Sequence, residues 1–260
     1  MKSIIAIIPV RMASSRFPGK PLVEICGLSM IEHVRRRVSL CDALDAVYVA
    51  TCDMAIAQEV ERFKGKVLMT SDRHESCVDR VAEAAQNLKA DMIINVQGDM
   101  PLVHPQSLEQ LVAPLLKEDS LLFTDMMGKI KNEEEMNNAN VVKVVVDQSG
   151  NALYYSREPI PSSKKEDRKG SVPRYKQFGI NAYRYEALID FTSLPRTPLE
   201  KIESVDMLRL LENGFQVRMV SFALPIVGVD TAEDLKLAEH MMASDALFPK
   251  YRNEAYEHIY

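Results

Sequence analysis

Short runs of β-branched and other apolar residues alternate with helix-like segments through the first half of this 260-residue chain. Four of these runs are typical of buried strands: Ile4–Val10, Asp45–Thr51, Lys66–Thr70 and Asp91–Gln97. The segments that follow them predict helices starting near Ser29, Asp53, Ser76 and Pro105. Such alternation indicates a mainly parallel sheet with helices on both faces, so we predict an α/β fold.

The second half of the chain has a different rhythm. Val141–Asp147 and Ala152–Tyr155 are strand-like runs joined by a short turn-rich link, which predicts an antiparallel hairpin. Further on we predict a strand at Phe178–Tyr183, a long helix at Leu199–Asn213, a strand pair ending near Val229 and a final helix from Thr231. We therefore expect a single domain over residues 1–260 with a smaller antiparallel subdomain inserted at about 120–215. Residues 244–260 are predicted to form an appended tail.

Composition excludes several classes of protein. The formal net charge of −5 argues against a protein that coats nucleic acid, because such binding requires a basic face. The four cysteines stand singly without a CxxC pair, which favours a reducing cytoplasm over a zinc cage or a disulfide scaffold. The apolar run at the N-terminus is too short for a signal peptide, and no run reaches the length of a membrane helix. We expect a cytoplasmic protein with neither a nucleic-acid nor a membrane partner.

The loop after the first predicted strand is the most informative segment. It reads PVRMASSRFPGKPL from Pro9 to Leu22 and contains three cations, two serine hydroxyls and a glycine: Arg11, Arg16, Lys20, Ser14, Ser15 and Gly19. Ligands of open α/β sheets bind beyond the carboxyl ends of the strands, which is where this loop lies. Arginine forks, a lysine charge and loop N–H groups together suit a polyphosphate. The spacing matches neither the Walker loop nor the GxGxxG fingerprint.

Two aspartates are candidate metal ligands. Asp99 follows Gly98 at the end of the fourth strand, and Asp230 stands between a late strand and the final helix. Mg²⁺ favours one or two carboxylates supplemented by phosphate oxygens and water. A turn role for Asp99 and a helix cap for Asp230 are the alternatives. Thr231 and Asp234 are able to supply that cap by themselves.

Many spaced motifs resemble one family over residues 3–240. They include RxxSSRFPGKPL, VATxD, MTSxxHxS, NVQGDxPL, ALYYSREPIP, GxxAYR, LxLLENG and GVDTxEDL, in this order. The chain thereby resembles the 3-deoxy-manno-octulosonate (Kdo) cytidylyltransferases. The resemblance implies a nucleotide-binding α/β fold, an inserted dimerisation and sugar-binding subdomain, a homodimer, CTP as donor, a sugar acid as acceptor and Mg²⁺ as cofactor.

The resemblance also implies residue roles. The nucleotide would be bound by Val10, Arg11, Ser14, Ser15, Arg16, Lys20, Arg80 and Gln97. The metal would be held by Asp99 and Asp230, and these two with Arg11 and Lys20 form the expected catalytic set. The sugar acid would be bound by Gln97, Arg157, Gln177, Asn181, Asp206 and Met207. The implied reaction is an in-line attack of the anomeric hydroxyl on the α-phosphorus of CTP.

Departures from the family pattern concentrate in the expected sugar site. Gln177 and Asn181 replace a usual His and Tyr, while Asp206 and Met207 replace a usual Glu-Gln pair. Methionine lacks the strong hydrogen-bonding functions of an amide, so we expect an altered acceptor pocket. Further departures, nearer the nucleotide, are Cys52, Cys77-Val78 and Met100. The Pro9–Leu22 loop, which we call the phosphate loop, and the carboxylates of Asp99 and Asp230 are retained.

Other interpretations remain open at the level of sequence. One is a nucleotidyltransferase that uses a sugar-1-phosphate or another acceptor, and another is a catalytically silent CTP-binding homologue. The five isolated histidines are assigned no catalytic role. The charged residues 162–174 predict a mobile surface loop, for which we consider a lid function.

Overall fold

The computed structural model describes residues 2–13, 17–74, 76–162, 173–224 and 226–252. The chain divides into two compact units. Unit 1 comprises Met1–Glu109 and Ile226–Tyr260, and unit 2 comprises Gln110–Pro225. The subdomain predicted at about 120–215 lies within the range of unit 2. Most of the predicted loop at 162–174 lies outside the described residues.

The first part of unit 1 follows the predicted alternation. Its strands are β1 (Ile4–Pro9), β2 (Glu24–Ile25), β3 (Leu28–Ser29), β4 (Ala46–Thr51), β5 (Lys66–Met69) and β6 (Met92–Asn95), and its helices are α1 (Met30–Ser39), α2 (Met54–Arg62) and α3 (Cys77–Ala85). Strands β6, β1, β4 and β5 lie side by side in that order, and all pairs are parallel. Strands β2 and β3 form a small antiparallel pair. The prediction of a parallel sheet with intervening helices is confirmed.

Local sequence explains these elements. All six residues of β1 are buried, because its apolar side chains face helices on both sides of the sheet. Ser29, Asp53 and Ser76 are the N-cap residues of α1, α2 and α3, as the sequence predicted. The Ser76 hydroxyl accepts a hydrogen bond from the backbone N–H of Val78, which satisfies one of the open donors of the first turn. Helices α1 and α2 therefore begin directly beyond a strand end, and α3 begins after the loop that follows β5.

Helix α4 (Pro105–Lys117) carries the chain into unit 2. The further elements there are β7 (Phe123–Lys129), α5 (Glu133–Asn137), β8 (Lys143–Val146), β9 (Ala152–Ser156), β10 (Tyr175–Arg184), α6 (Tyr185–Ser193), α7 (Pro198–Glu203), α8 (Met207–Glu212) and β11 (Arg218–Ser221). Strand β7 pairs antiparallel with β10 and parallel with β11. Strand β8 pairs antiparallel with β9 and β10, which confirms the predicted hairpin.

The long helix predicted at Leu199–Asn213 is wrong, because the chain forms two helices there, α7 and α8. Ser204 between them has a φ of 52°, in the left-handed region. The guanidinium of Arg157 donates hydrogen bonds to two carbonyl groups at this break. Its Nε donates to Glu203 O at 2.5 Å, and its Nη2 donates to Ser204 O at 3.3 Å. A contact from the residue that follows β9 thus compensates the lost helical hydrogen bonds.

The strand pair predicted to end near Val229 is also only half correct. Strand β11 is present, but residues 226–230 form no strand. The chain then returns to unit 1 through α9 (Ala232–Ala243) and α10 (Phe248–Tyr251). Tyr251, in the predicted tail, is 1% exposed and lies against His33 of α1. Within the described ranges, no helix is long and apolar enough to cross a membrane.

Candidate active site

Two loops of unit 1 meet beyond the carboxyl ends of the adjacent parallel strands β1 and β6. One loop continues from β1 through Val10 and Arg11, and the other contains Gln97, Gly98 and Asp99. A Cβ atom added to Gly98 would lie 3.1 Å from the Cβ of Val10, which is closer than ordinary contact. Glycine at this position therefore allows the loops to approach each other and form one cleft.

A hydrogen bond brings the two candidate metal ligands into the same cleft. The backbone N–H of Val229 donates to the carbonyl of Asp99 at 2.9 Å, so the segment before α9 is fixed beside the loop after β6. Thr231 and Asp234 form the capping box of α9. The predicted division of roles is confirmed in this respect, because the cap does not use the side chain of Asp230.

Lys20 lies between the two carboxylates. Its Nζ atom donates to Asp99 Oδ2 at 2.7 Å and to Asp230 Oδ1 at 3.1 Å. Burial by itself would lower the pKa of Lys20, but the charges and hydrogen bonds of Asp99 and Asp230 outweigh it and raise the pKa. The lysine is therefore cationic near neutral pH, and it neutralises part of the charge of the acidic pair.

The acidic pair suits a magnesium ion. Both carboxylates reach one ammonium nitrogen, so their oxygens are close enough to share a small cation. Among the described residues, no group of three or more His, Cys, Asp or Glu side chains forms a metal cage. Two carboxylates are nevertheless sufficient for Mg²⁺ when phosphate oxygens and water complete its six ligands. The donor set fits the metal that the sequence predicted.

The cleft has a volume of about 370 Å³. Seven of the predicted nucleotide, metal or catalytic residues line it: Val10, Arg11, Lys20, Arg80, Gln97, Asp99 and Asp230. Ser14, Ser15 and Arg16 lie outside the described residues. The cleft wall therefore combines cationic, anionic and amide groups at the strand ends.

Arg80 is poised to bind an acceptor of hydrogen bonds. It is 3% exposed, and its Nη1 donates to Thr70 Oγ1 and to Ser71 O, the latter at 3.2 Å. Its buried Nη2 has no hydrogen-bond partner among the described residues. A buried donor without a partner is unfavourable unless a ligand satisfies it. Arg80 lines the cleft, so a bound ligand is the natural partner.

His74 belongs to the same wall, although sequence analysis assigned it no site role. Its Nε2 pairs with Glu83 Oε2, and the same oxygen accepts the backbone N–H of Ser71 at 2.9 Å. Burial would raise the pKa of Glu83, but the hydrogen bonds from His74 and Ser71 lower it overall. The ionised Glu83 therefore fixes the imidazole at the cleft. No spacing rule relates these two residues, so the sequence offered little signal for the pair.

Asp53, the N-cap residue of α2, holds the start of the phosphate loop by a hydrogen bond. Its Oδ2 accepts the backbone N–H of Met12 at 2.8 Å, and its own N–H donates to Thr51 Oγ1 at 3.1 Å. Further along the loop, Gly19 has a φ of 73° and precedes the single 3₁₀ turn Lys20–Leu22. This left-handed conformation, which glycine adopts without strain, directs Lys20 toward the carboxylates.

The remaining predicted sugar residues lie in unit 2, where two of them share an unpredicted partner. Gln177 Nε2 donates to Asp125 Oδ2 at 2.8 Å, and Asn181 Nδ2 donates to Asp125 Oδ1 at 2.7 Å. Burial, with a contribution from Asp206, raises the pKa of Asp125 to about 8, against hydrogen bonds from Tyr155 and Gln177 that lower it. Sequence analysis missed Asp125. The signal was an acid beside Met126 and Met127 in a strand whose residues are almost all buried, where charged residues are rare.

The other predicted sugar residues have different surroundings. Arg157 donates to three backbone carbonyls. Two are the carbonyls of Glu203 and Ser204 at the α7–α8 break, and the third is Ala139 O, which lies 2.9 Å from Nη1. Met207 is fully buried at the start of α8. Asp206, the N-cap of α8, is half-buried and close enough to Asp125 to influence its pKa. The sugar-binding roles of these residues stay predictions.

The parallel sheet, the cationic loop beyond β1 and the acidic pair in the cleft define a nucleotide-binding transferase, of the nucleotidyltransferase class. A family model described as "Cytidylyltransferase" matches residues 5–221. The 3-deoxy-manno-octulosonate cytidylyltransferase of Geobacter metallireducens is 43% identical over 240 residues, which cover 89% of this chain and 94% of that protein. The protein of the same name from Pelobacter propionicus is 43% identical over 241 residues, covering 90% and 94%.

Solved structures agree. A CMP:2-keto-3-deoxy-manno-octonic acid synthetase complexed with CTP has a TM-score of 0.87 and 36% identity, and the match covers 93% of this chain and 99% of that one. The chain therefore belongs to the 3-deoxy-manno-octulosonate cytidylyltransferases within the cytidylyltransferase family.

Proposed function

We propose that this protein transfers CMP from CTP to the anomeric hydroxyl of a 3-deoxy-2-ulosonic sugar acid, Kdo or a close relative, and releases pyrophosphate. The observation that carries the proposal is the cleft of unit 1, where Lys20, Asp99 and Asp230 meet beside the phosphate loop. Family membership and the CTP found in the related solved structure support the choice of nucleotide.

The phosphate-binding groups act by position and charge. Arg11 and Lys20 would bind the triphosphate together with Ser14, Ser15 and Arg16, which the resemblance assigns to it. In the complex, Lys20 would exchange carboxylate partners for phosphate oxygens. Arg80 would donate its open Nη2 to the nucleotide, and Gln97 would help to align the acceptor. The reaction needs no covalent intermediate, because orientation and charge stabilisation account for most of the rate in phosphoryl-type transfer.

Asp99 and Asp230 would hold Mg²⁺. The bound ion would neutralise charge that develops on the phosphate oxygens. The residues contribute by holding their two carboxylates in one place, through the hydrogen bond between Val229 and Asp99 and the capping box that follows Asp230.

The test is CTP-dependent pyrophosphate release with Mg²⁺ and a panel of acceptors. The panel consists of Kdo, 8-amino-Kdo, nonulosonic acids and sugar-1-phosphates, and UTP and GTP serve as alternative donors. We expect turnover with CTP and one ulosonic acid. Turnover with a sugar-1-phosphate and with no ulosonic acid would contradict the proposal. It would indicate instead a nucleotidyltransferase that uses a sugar-1-phosphate acceptor.

A binding measurement separates an active enzyme from a silent CTP-binding homologue. Cys77 is exposed and lines the cleft, whereas Cys26 is exposed and is not part of the lining. CTP should slow alkylation of Cys77 and leave the rate at Cys26 unchanged. Protection of Cys77 without turnover across the whole panel would favour the silent homologue.

We further propose that the enzyme is a cytoplasmic homodimer. The resemblance to the family supports the dimer, and the use of CTP supports the cytoplasm. Sedimentation equilibrium should give twice the 29.3 kDa mass of the chain, and a monomer at micromolar concentration would contradict the dimer.

A further inference from the structure

Asp125 occupies the middle of the sheet of unit 2. It lies on β7, opposite Asn181 of β10 on one side and Met219 of β11 on the other. Its exposed fraction is 0%. A carboxyl group at this depth is costly unless polar groups surround it, so its retention needs a reason.

Both amides on β10 are turned toward this carboxyl. In its ionised form the Asp125 carboxyl only accepts hydrogen bonds, so Gln177 and Asn181 present their NH₂ groups to it. Strand β10 shifts register between these two residues, and Gly179 between them has a φ of 73°. This irregularity lets two side chains four residues apart converge on one carboxyl. The amide oxygen of Gln177, which is half-buried, is consequently directed away from Asp125.

We propose that Asp125 is a positioning residue that determines acceptor specificity by fixing the amides of Gln177 and Asn181. This inference rests on the proposed function and on the sugar-binding role that the family resemblance implies for both amides. These are the positions where the family usually has His and Tyr. Asp125 would thus give the acceptor site a defined amide orientation in place of those two side chains.

The fixed orientation selects the chemistry of the acceptor. The site presents the carbonyl oxygen of Gln177, which accepts hydrogen bonds, so the facing substituent of the sugar acid should be a donor. A hydroxyl or an ammonium group meets this requirement, whereas an O-acetylated or deoxygenated position does not. The titratable groups near Asp125 are Tyr155 on β9 and Asp206 at the start of α8, and neither is cationic. Neither group therefore supplies a positive charge that could take the place of a hydrogen-bond donor on the sugar.

The first test compares KM values in Asp125→Asn. Asparagine offers a single oxygen, so one of the two amides loses its partner or rotates. At pH 9, where Asp125 is ionised in the wild type, we expect the acceptor KM to rise about tenfold, as the loss of one hydrogen bond to a charged group would give, with the CTP KM within about twofold of wild type. Thr124→Val is the matched control, because Thr124 neighbours Asp125 on β7 and its buried hydroxyl donates to Leu111 O at 2.8 Å. Equal changes in both KM values, or no change, would overturn the inference.

The second variant guards against misfolding of Asp125→Asn. Gln177→Met removes the amide at a half-buried position and should raise the acceptor KM similarly. In the double variant the two effects should not add, because each change breaks the same hydrogen bond. Additive effects would mean that Asp125 does not act through Gln177.

The pH profile gives a third readout. Asp125 with a pKa of about 8 ionises between pH 7 and 9, and only the ionised form accepts both NH₂ groups with full strength. The acceptor KM should therefore fall several-fold over this range in the wild type and stay flat in Asp125→Asn. A pH dependence that persists in the variant would overturn the inference. Failure of the proposed function would look different, because the wild-type enzyme would then turn over no sugar acid.

Discussion

At the scale of single residues, the pairing of Asp99 and Asp230 through Lys20 determines what the cleft can bind. The ammonium group compensates the acidic pair, and a bound metal would take over that role. Asp99→Asn should lower the rate of pyrophosphate release by about a hundredfold or more, as removal of one transition-state stabiliser typically does. Asp190→Asn, which changes an exposed acid on α6, is the control and should leave the rate unchanged. A normal rate in Asp99→Asn would reject the metal assignment.

At the scale of elements, helix α1 and the C-terminal segment are joined through His33. Its Nε2 donates to Ile25 O at 2.6 Å, so its Nδ1 accepts from the hydroxyl of Tyr251 at 2.9 Å. Only the neutral ring accepts a hydrogen bond at Nδ1, whereas the Nε2–H donates to Ile25 O in either protonation state. Burial, together with the charges of Arg37 and Arg36, lowers the pKa of His33 to about 4, although the Ile25 carbonyl and Glu32 oppose the shift.

The lowered pKa of His33 predicts a pH-dependent stability. The unfolded chain binds a proton near pH 6.5 and the folded chain does not, so this stabilisation is complete above pH 6.5 and decreases as the pH falls toward 4. Between pH 7 and pH 5 the free energy of unfolding should drop by about 2 kcal/mol from His33 alone. Urea unfolding at both pH values measures it. His33→Asn should lose most of this dependence, whereas His240→Asn, at an exposed position on α9, should retain it.

The break between α7 and α8 depends on Arg157, which lies in the segment that connects β9 and β10. Arg157 is 46 residues away from Glu203 in the sequence. Arg157→Met should lower the free energy of unfolding by about 2 kcal/mol, because the carbonyl of the half-buried Glu203 loses its donor. Calorimetry and acceptor KM measured together separate two roles. A lower melting temperature with an unchanged KM indicates the capping role, and a raised KM at unchanged stability would support the predicted sugar contact instead. Arg157→Lys is the control for charge without the planar fork.

At the scale of the whole molecule, the predicted nucleotide residues that line the cleft belong to unit 1, and Asp125 with Gln177 and Asn181 belongs to unit 2. CTP should therefore slow hydrogen exchange at residues 9–22, 70–80, 97–99 and 228–230, since a ligand stabilises the segments that it contacts. The acceptor sugar should protect residues 123–127 and 175–182 instead. The measurement is exchange followed by mass spectrometry with each ligand alone. Protection of residues 123–127 by CTP alone would contradict this division.

The sequence alone predicted most strands and helices of unit 1 and the loops of its candidate site. These features depend on local patterns of apolar and polar residues. Strand ends of a parallel sheet place their loops at one edge, so the positions of Arg11, Lys20 and Asp99 followed from periodicity alone. The cap of α9 by Thr231 and Asp234 followed from adjacent residues in the same way. The acceptor class came from the family resemblance and not from the spacing, whereas the magnesium site was suggested by the two aspartates and supported by the resemblance.

Only the tertiary structure decided the contacts between distant residues. Asp125 lies 52 and 56 residues from Gln177 and Asn181, and Tyr251 lies 218 residues from His33. The helical pattern of residues 199–213 continues through Ser204, but the guanidinium of Arg157 stabilises the break. No local period encodes which polar groups meet in a buried site, because their hydrogen bonds and desolvation depend on packing of the complete chain. The sequence thus predicted where the loops of the candidate nucleotide cleft lie, and the fold decided which side chains orient the groups expected to select the sugar.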